Sequence, residues 1–272
     1  MAMRPAGAIG WRKAARLGRA AGLAAMLAAG IPPSDPAQAR QLRSDDPAAG
    51  QAAAELPVAG AVLRDRVVLG PFTVPLPPGP WTVYFADSAT SRDGATGTER
   101  VGLLALDGDT VTQEIYARAD VQRQGKGFLA FPECRNPSYF HEEQRSNFHT
   151  RAQDCWHVRA VSTVERADAG PRFQALYART DAENLFLPAA MVGSRFHFAN
   201  GDALLRVAYG WNPELLLRSR TDDKVWLAAD WSKGEVGRDP RRLAVMRIMQ
   251  RWGAEWYDRV ATAFRAGVAA VR

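Results

Sequence analysis

The chain reads as an α+β domain, a mainly antiparallel β-sheet with a long C-terminal amphipathic helix packed on it. Three observations predict this. Asp107-Gly108 and Asn200-Gly201 each stand between short apolar segments, and such pairs favour hairpins because glycine takes a positive φ freely. Trp81–Phe85 and Cys155–Val164 have the β-branched and aromatic composition of strands. From Asp239 onward the apolar side chains recur at helical spacing instead.

Gly70 to Pro80 is proline-dense, so Phe72 and Val74 predict only a short or edge strand, because proline cannot donate to a ladder. Trp81–Phe85 predicts the next strand. Ala86 to Arg100, rich in Ser, Thr, Gly and Asp, predicts an exposed loop. Val101–Leu106 and Thr110–Tyr116 are the arms of the first hairpin, and Cys155–Val164 a further strand. Pro171–Arg179 sets Phe173, Leu176 and Tyr177 at helical spacing and predicts a short helix.

In the second hairpin, a two-residue turn at Asn200-Gly201 sets Phe198 opposite Ala203, Phe196 opposite Leu205 and Ser194 opposite Val207. That face is apolar and predicts core. His197 then stands opposite Leu204 and Arg195 opposite Arg206. This second face is expected to be mostly solvated, with His197 an ordinary outward-facing histidine. In the last helix Asp239 is a good N-cap and Pro240 a good first residue. Val245, Met249, Trp252, Trp256, Val260 and Ala263 form one stripe, with Arg247, Arg251, Asp258, Thr262 and Arg265 opposite. The polar side carries both signs, so packing on the sheet is expected before membrane-surface or partner docking.

The start of the chain has the pattern of an export signal. Arg4, Arg12, Lys13, Arg16 and Arg19 precede an apolar run from Ala20 to Ile31, then Pro32-Pro33 and the small-x-small site Ala37-Gln38-Ala39. The apolar run is far shorter than the ~20 residues of a membrane span. Residues 1–39 are expected to be a signal peptide and 40–57 a disordered leader, low in residues that pack. Residues 58–272 are expected to be a single α+β domain. The whole chain has 35 basic and 29 acidic residues, a net of +6. Removing the signal leaves 30 and 28, a net of +2, which argues against a nucleic-acid partner. No later segment reads as transmembrane, so the expected location is periplasmic or secreted.

Cys134 and Cys155 are the only cysteines, and in an oxidising compartment such a pair is most simply a disulfide. A redox pair or a metal site with nearby histidines are the alternatives, the first weakened by a spacing far from C-x-x-C.

Motifs that carry known chemistry are missing. There is no G-x-S-x-G, no Walker loop and no G-x-G-x-x-G opening a helix, so no cofactor is predicted. His141-Glu142-Glu143 begins like a zinc-protease helix, but Arg145 stands where the second histidine is required, and no metal ligand set is predicted. Three of the four histidines, His141, His149 and His157, nevertheless lie in or just beyond the loop between the cysteines, with Glu133, Glu142, Glu143 and Asp154. Imidazole beside carboxylate suits general acid–base work, so His141, Glu142, His149 and His157 are candidate catalytic residues, set against a polar surface loop. Trp226 and Trp231, near Asp222, Asp223 and Asp230, are candidates for a sugar platform, set against a role in bolting a connecting segment to the core.

The proline-rich strand ending Pro77-Pro78-Gly79-Pro80-Trp81, the Cys134…Cys155-Trp156 pair and the terminal helix beginning Asp239-Pro240 with Trp252 and Trp256 resemble exported proteins of Gram-negative bacteria, from about residue 68 to the end. The resemblance implies a periplasmic address and no catalytic residue. The expected function is a binding or structural component of the envelope, with an envelope ligand or protein as partner. The alternatives are a hydrolase or metal-dependent enzyme using the loop between Cys134 and Cys155, and a docking module acting through the last helix.

Overall fold

The computed structural model describes residues 55–122, 127–146, 152–164, 170–217 and 225–271. The predicted signal segment, most of the leader and His149 lie outside them. The strands are β1 (Val62–Leu63), β2 (Arg66–Leu69), β3 (Phe72–Pro75), β4 (Trp81–Thr90), β5 (Thr96–Asp107), β6 (Thr110–Gln122), β7 (His141–Gln144), β8 (Gln153–Ser162), β9 (Ala190–Ala199) and β10 (Ala203–Trp211). Helix α1 (Pro171–Ala182) lies between β8 and β9. After β10 come the single turns α2 (Pro213–Leu216) and α3 (Lys233–Val236) and the long α4 (Pro240–Val271).

Eight strands form one sheet in the order β1-β4-β5-β6-β10-β9-β8-β7, and β2 and β3 form a separate ribbon. Every pairing of these strands is antiparallel. After β6 the chain crosses to the far edge and returns through β7, β8 and β9, so that β10 closes against β6. The α+β architecture predicted from the sequence is the one observed.

The α4 face of the sheet is the main core. Asp239 caps the helix by accepting the Arg241 backbone N–H at 2.9 Å, and Pro240 is its first residue. Val245, Met249, Trp256 and Val260 are buried along the predicted stripe. Two glycines let α4 sit close. A Cβ on Gly253 would stand 2.6 Å from the Trp156 ring, and one on Gly267 would stand 2.2 Å from the Phe72 ring. Phe264 stacks on Phe72 of β3 at 5.8 Å and on Phe198 of β9 at 5.6 Å, so the helix holds ribbon and sheet together.

Two expectations are corrected. Ala86 to Arg100 is not a loop: β4 runs on to Thr90 and β5 starts at Thr96. These hairpin arms project beyond the core and are exposed at their tips, so no face of them needs apolar alternation. A cross-strand Asp87–Arg100 pair, 2.7 Å at Nε, helps to hold them. In the second hairpin the turn is Gly201-Asp202, one residue later than predicted, because the Asn200 side chain accepts the backbone N–H groups of Asp202 and Ala203 at 2.8 Å. The observed partners are therefore Phe198 with Leu205, Phe196 with Val207 and His197 with Arg206. Each residue keeps its predicted face, because the register moves by two.

Candidate functional site

The other face of the sheet carries a different chemistry. Side chains in antiparallel register share a face, and two rows cross four strands there. One row is Arg118, Arg206, His197 and Cys155; its neighbour is Tyr116, Ala208, Arg195 and His157. Ala208 is small between Tyr116 and Arg195, and a cavity of about 180 Å³ opens over it, lined also by Phe131, His157, His197 and Arg206.

Two structures wall this cavity. On one side the start of α1 places Arg172, whose guanidinium donates to Glu114 at 2.6 Å and to the Tyr84 hydroxyl at 3.3 Å and lies 4.2 Å from the Tyr116 ring centroid. On the other side the disulfide Cys134–Cys155, with Cα atoms 5.7 Å apart, fastens the 3-10 turn Pro132–Arg135 onto β8. That turn and the residue before it supply Glu133 and Phe131. The Phe131 ring stacks on His197 at 4.4 Å, and the Arg206 guanidinium carbon lies 4.0 Å from its centroid.

Gln153 ties the segment down. Its Oε1 accepts the Phe131 backbone N–H at 3.0 Å, and its Nε2 donates to the carbonyls of Phe128 and Leu129, both at 3.0 Å. The same Oε1 lies 2.9 Å from His197 Nε2, while Arg206 Nε donates to His197 Nδ1 at 3.0 Å. A guanidinium only donates, so Nδ1 is the acceptor and Nε2 carries the proton: the imidazole is neutral. Burial, aided by Arg206, pushes the His197 pKa down to about 3. His197 is thus 1 % exposed and not the solvated histidine expected from its strand alone, because Phe131 covers it from another part of the chain.

The charges on this face do not all cancel. Arg118 pairs with Asp120, Arg172 with Glu114, and Arg159 with Glu133 at 3.5 Å and the Tyr139 hydroxyl at 2.6 Å. Arg206 meets a neutral ring and an aromatic face. Arg195 has no hydrogen-bond acceptor among the described residues, and burial, with Arg159 and Arg172 nearby, pushes its pKa down to about 9. His157 is 1 % exposed, stacks on Tyr139 at 4.6 Å, and neither ring nitrogen has a hydrogen-bond partner among the described residues. Burial and then Arg195 and Arg159 push its pKa well below the usual histidine value. Among the described residues Arg195 and Arg206 thus have no carboxylate within salt-bridge distance, although Glu133 lies near both, and their N–H groups are donors of the kind an oxyanion accepts.

No protein-family model, no curated protein and no solved structure matches this chain.

The candidate residues of the inter-cysteine loop do not converge. His157 lies in the cavity wall, but His141 is in register with Val158, one position along, and so points to the α4 face. There its Nδ1 is 3.1 Å from Gln250 of α4 and its ring packs on Trp156 at 4.4 Å. The sheet itself separates the two histidines. Residues 141–144 form a strand and not a helix, so a helical zinc motif is absent on backbone grounds as well. Glu142 is in register with His157 but exposed, and His149 is not among the described residues. Among the described residues no cluster of three or more His, Cys, Asp or Glu side chains is placed to hold a metal ion. Trp226 and Trp231 are 7 % and 2 % exposed, with rings 6.0 Å apart, and offer no free face to a sugar. Trp252 and Trp256 stack on each other at 5.0 Å and meet Tyr209 edge-on at 5.2 and 6.0 Å, which turns the helix stripe toward the sheet.

Arg195, Arg206, Tyr116 and Phe131 carry no motif that marks them as site residues in the sequence. The available signal was the strand alternation, which puts a basic side chain on the same face of four successive strands.

Proposed function

We propose that this chain is an exported envelope protein that binds a small oxyanion-bearing ligand in the cavity between α1 and the disulfide-anchored turn. The observation that carries this reading is Arg195, a guanidinium in the cavity wall with no acceptor among the described residues. An unpaired, partly buried charge is costly, and a bound carboxylate, sulfate or phosphate group reduces that cost by accepting its N–H donors. Phe131 and Tyr116 add flat apolar walls, which suit a planar or apolar group next to the anion.

Export is supported by the basic start, the Ala37-Gln38-Ala39 site and a disulfide of a kind that persists in oxidising compartments. Among the described residues no helix is long and apolar enough to cross a membrane. Cell fractionation with N-terminal sequencing tests the address: a periplasmic form starting at Arg40 is expected, and a cytosolic form retaining Met1 overturns it.

The binding reading is tested by isothermal titration of the purified protein with sulfate, benzenesulfonate, succinate and inorganic phosphate. Saturable binding of at least one is expected. Arg195→Met or Arg206→Met weakens it by roughly 10- to 100-fold, the worth of a hydrogen bond to a charged group. Equal affinity in both variants overturns the assignment.

A further inference from the structure

We infer that the cavity takes up its anion together with one proton, held by His157 between Arg195 and Glu133. This rests on the anion-binding reading and adds the regulation of that site. His157 is a buried side chain in the cavity wall with both ring nitrogens unpartnered among the described residues, although Glu133 Oε2 is only 3.9 Å from its Nε2. A neutral imidazole with a carboxylate that close is an ion pair lacking its proton.

The groups around the ring explain why the proton is absent. On β9 the cross-strand partner is Arg195, and His197 lies two residues further along; on β8 itself Arg159 lies two residues away. From the turn come Glu133 and from the segment after it Tyr139, whose hydroxyl accepts from Arg159. From β7 the register partner is Glu142, which is exposed. Two guanidiniums and burial oppose the charge, and Glu133 is shared with Arg159 at 3.5 Å. An anion seated on Arg195 cancels the repulsion from that side. The imidazole then gains a proton from solvent, and its Nε2–H completes the pair with Glu133. His197 cannot take this role, because its Nδ1 already accepts from Arg206 and its Nε2–H already faces Gln153. His141 is excluded by lying on the opposite face of the sheet.

Coupling is reciprocal, so a proton that follows the anion also strengthens its binding as pH falls. The test uses sulfate and benzenesulfonate, which stay fully ionised throughout the range. Titrations run from pH 8 to 5.5, a range in which the guanidiniums stay charged, and at pH 6 in two buffers of different ionisation enthalpy. Affinity is expected to rise on acidification by up to about tenfold per pH unit, with proton uptake approaching about one per anion. His157→Gln should bind the anion with no pH dependence and no buffer dependence. Glu133→Gln, at a part-exposed position, should reduce the uptake while leaving the protein folded, so the test stands even if the His157 variant misfolds. Anion binding independent of pH and buffer overturns the coupling and leaves the cavity as a binding site. Failure of every anion to bind overturns both.

Discussion

The two faces of one sheet are built on opposite rules. Under α4 the strands present Val83, Val101, Ile115, Leu205 and Phe196, and the helix seals them with Val245, Met249 and Trp256. On the other side the sheet presents Arg118, Arg206, Arg195, His197 and His157, covered among the described residues by α1 at one end and by the stapled turn with Tyr139 at the other. A second small core of Phe85, Leu104, Leu176 and Met191 lies under α1, so that end is apolar and the middle is not. The difference teaches that the helix face is sealed by apolar packing, whereas the middle of the polar face buries charged and polar groups that apolar packing does not require.

The largest effect should come from the helix face. Phe72→Ala removes a fully buried ring between β3, Phe264 and Gly267, and about 3–5 kcal/mol of unfolding free energy should be lost in urea titrations at pH 7. Anion affinity of the folded protein should be unchanged, and a large loss would show that the faces are not independent.

Replacing both cysteines by serine should cost about 3 kcal/mol by the chain-entropy argument, measured the same way. Unlike the Phe72 variant, it should also weaken anion binding, because Phe131 and Glu133 lose their anchor. Intact binding in the double variant would remove the turn from the site.

Acid should attack the polar face first. The His197 pKa is held down at about 3, against about 6.5 in an unfolded chain. Below pH 6.5 the unfolded chain gains a proton that the folded chain refuses, so stability is full above that pH and is lost on acidification. The slope is about 1.4 kcal/mol per pH unit from this residue, and His157, shifted in the same direction, steepens it. Urea titrations at pH 7, 6 and 5 measure the slope, and His197→Gln should flatten it.

The smallest effect in this series, and the one of unusual sign, belongs to Arg195→Met. Replacing an unpaired, partly buried guanidinium by an apolar chain of similar length should leave the melting temperature unchanged or raise it slightly. A clear drop would mean that Arg195 holds the fold together, and the contrast between the faces would fail at its central residue.

The helix face was readable from sequence because its signals are local. Asp239 and Pro240 mark the start, and the apolar spacing from Val245 to Ala263 marks the buried side. Hairpins were readable to within one residue at the turn, and parity preserved the faces even where the Asn200 side chain moved the register. The polar face was not readable, for a physical reason. Arg195 and His197, taken along β9 alone, look like any solvated strand edge. The burial of His197 depends on Phe131, whose ring is held there by a segment that the disulfide and Gln153 tie down. His141 and His157 are close in sequence, yet strand parity sends them to opposite sides, and the β7–β8 register decides that.

The smallest side chain of the polar rows also has the widest consequence. Ala208 stands between Tyr116 and Arg195 and puts only a methyl group into the space there. Leucine or phenylalanine at this position would plug the hollow and press the guanidinium toward its neighbours. The position is therefore a marker: in any chain of similar architecture, its occupant tells whether the hollow is open or has been filled in.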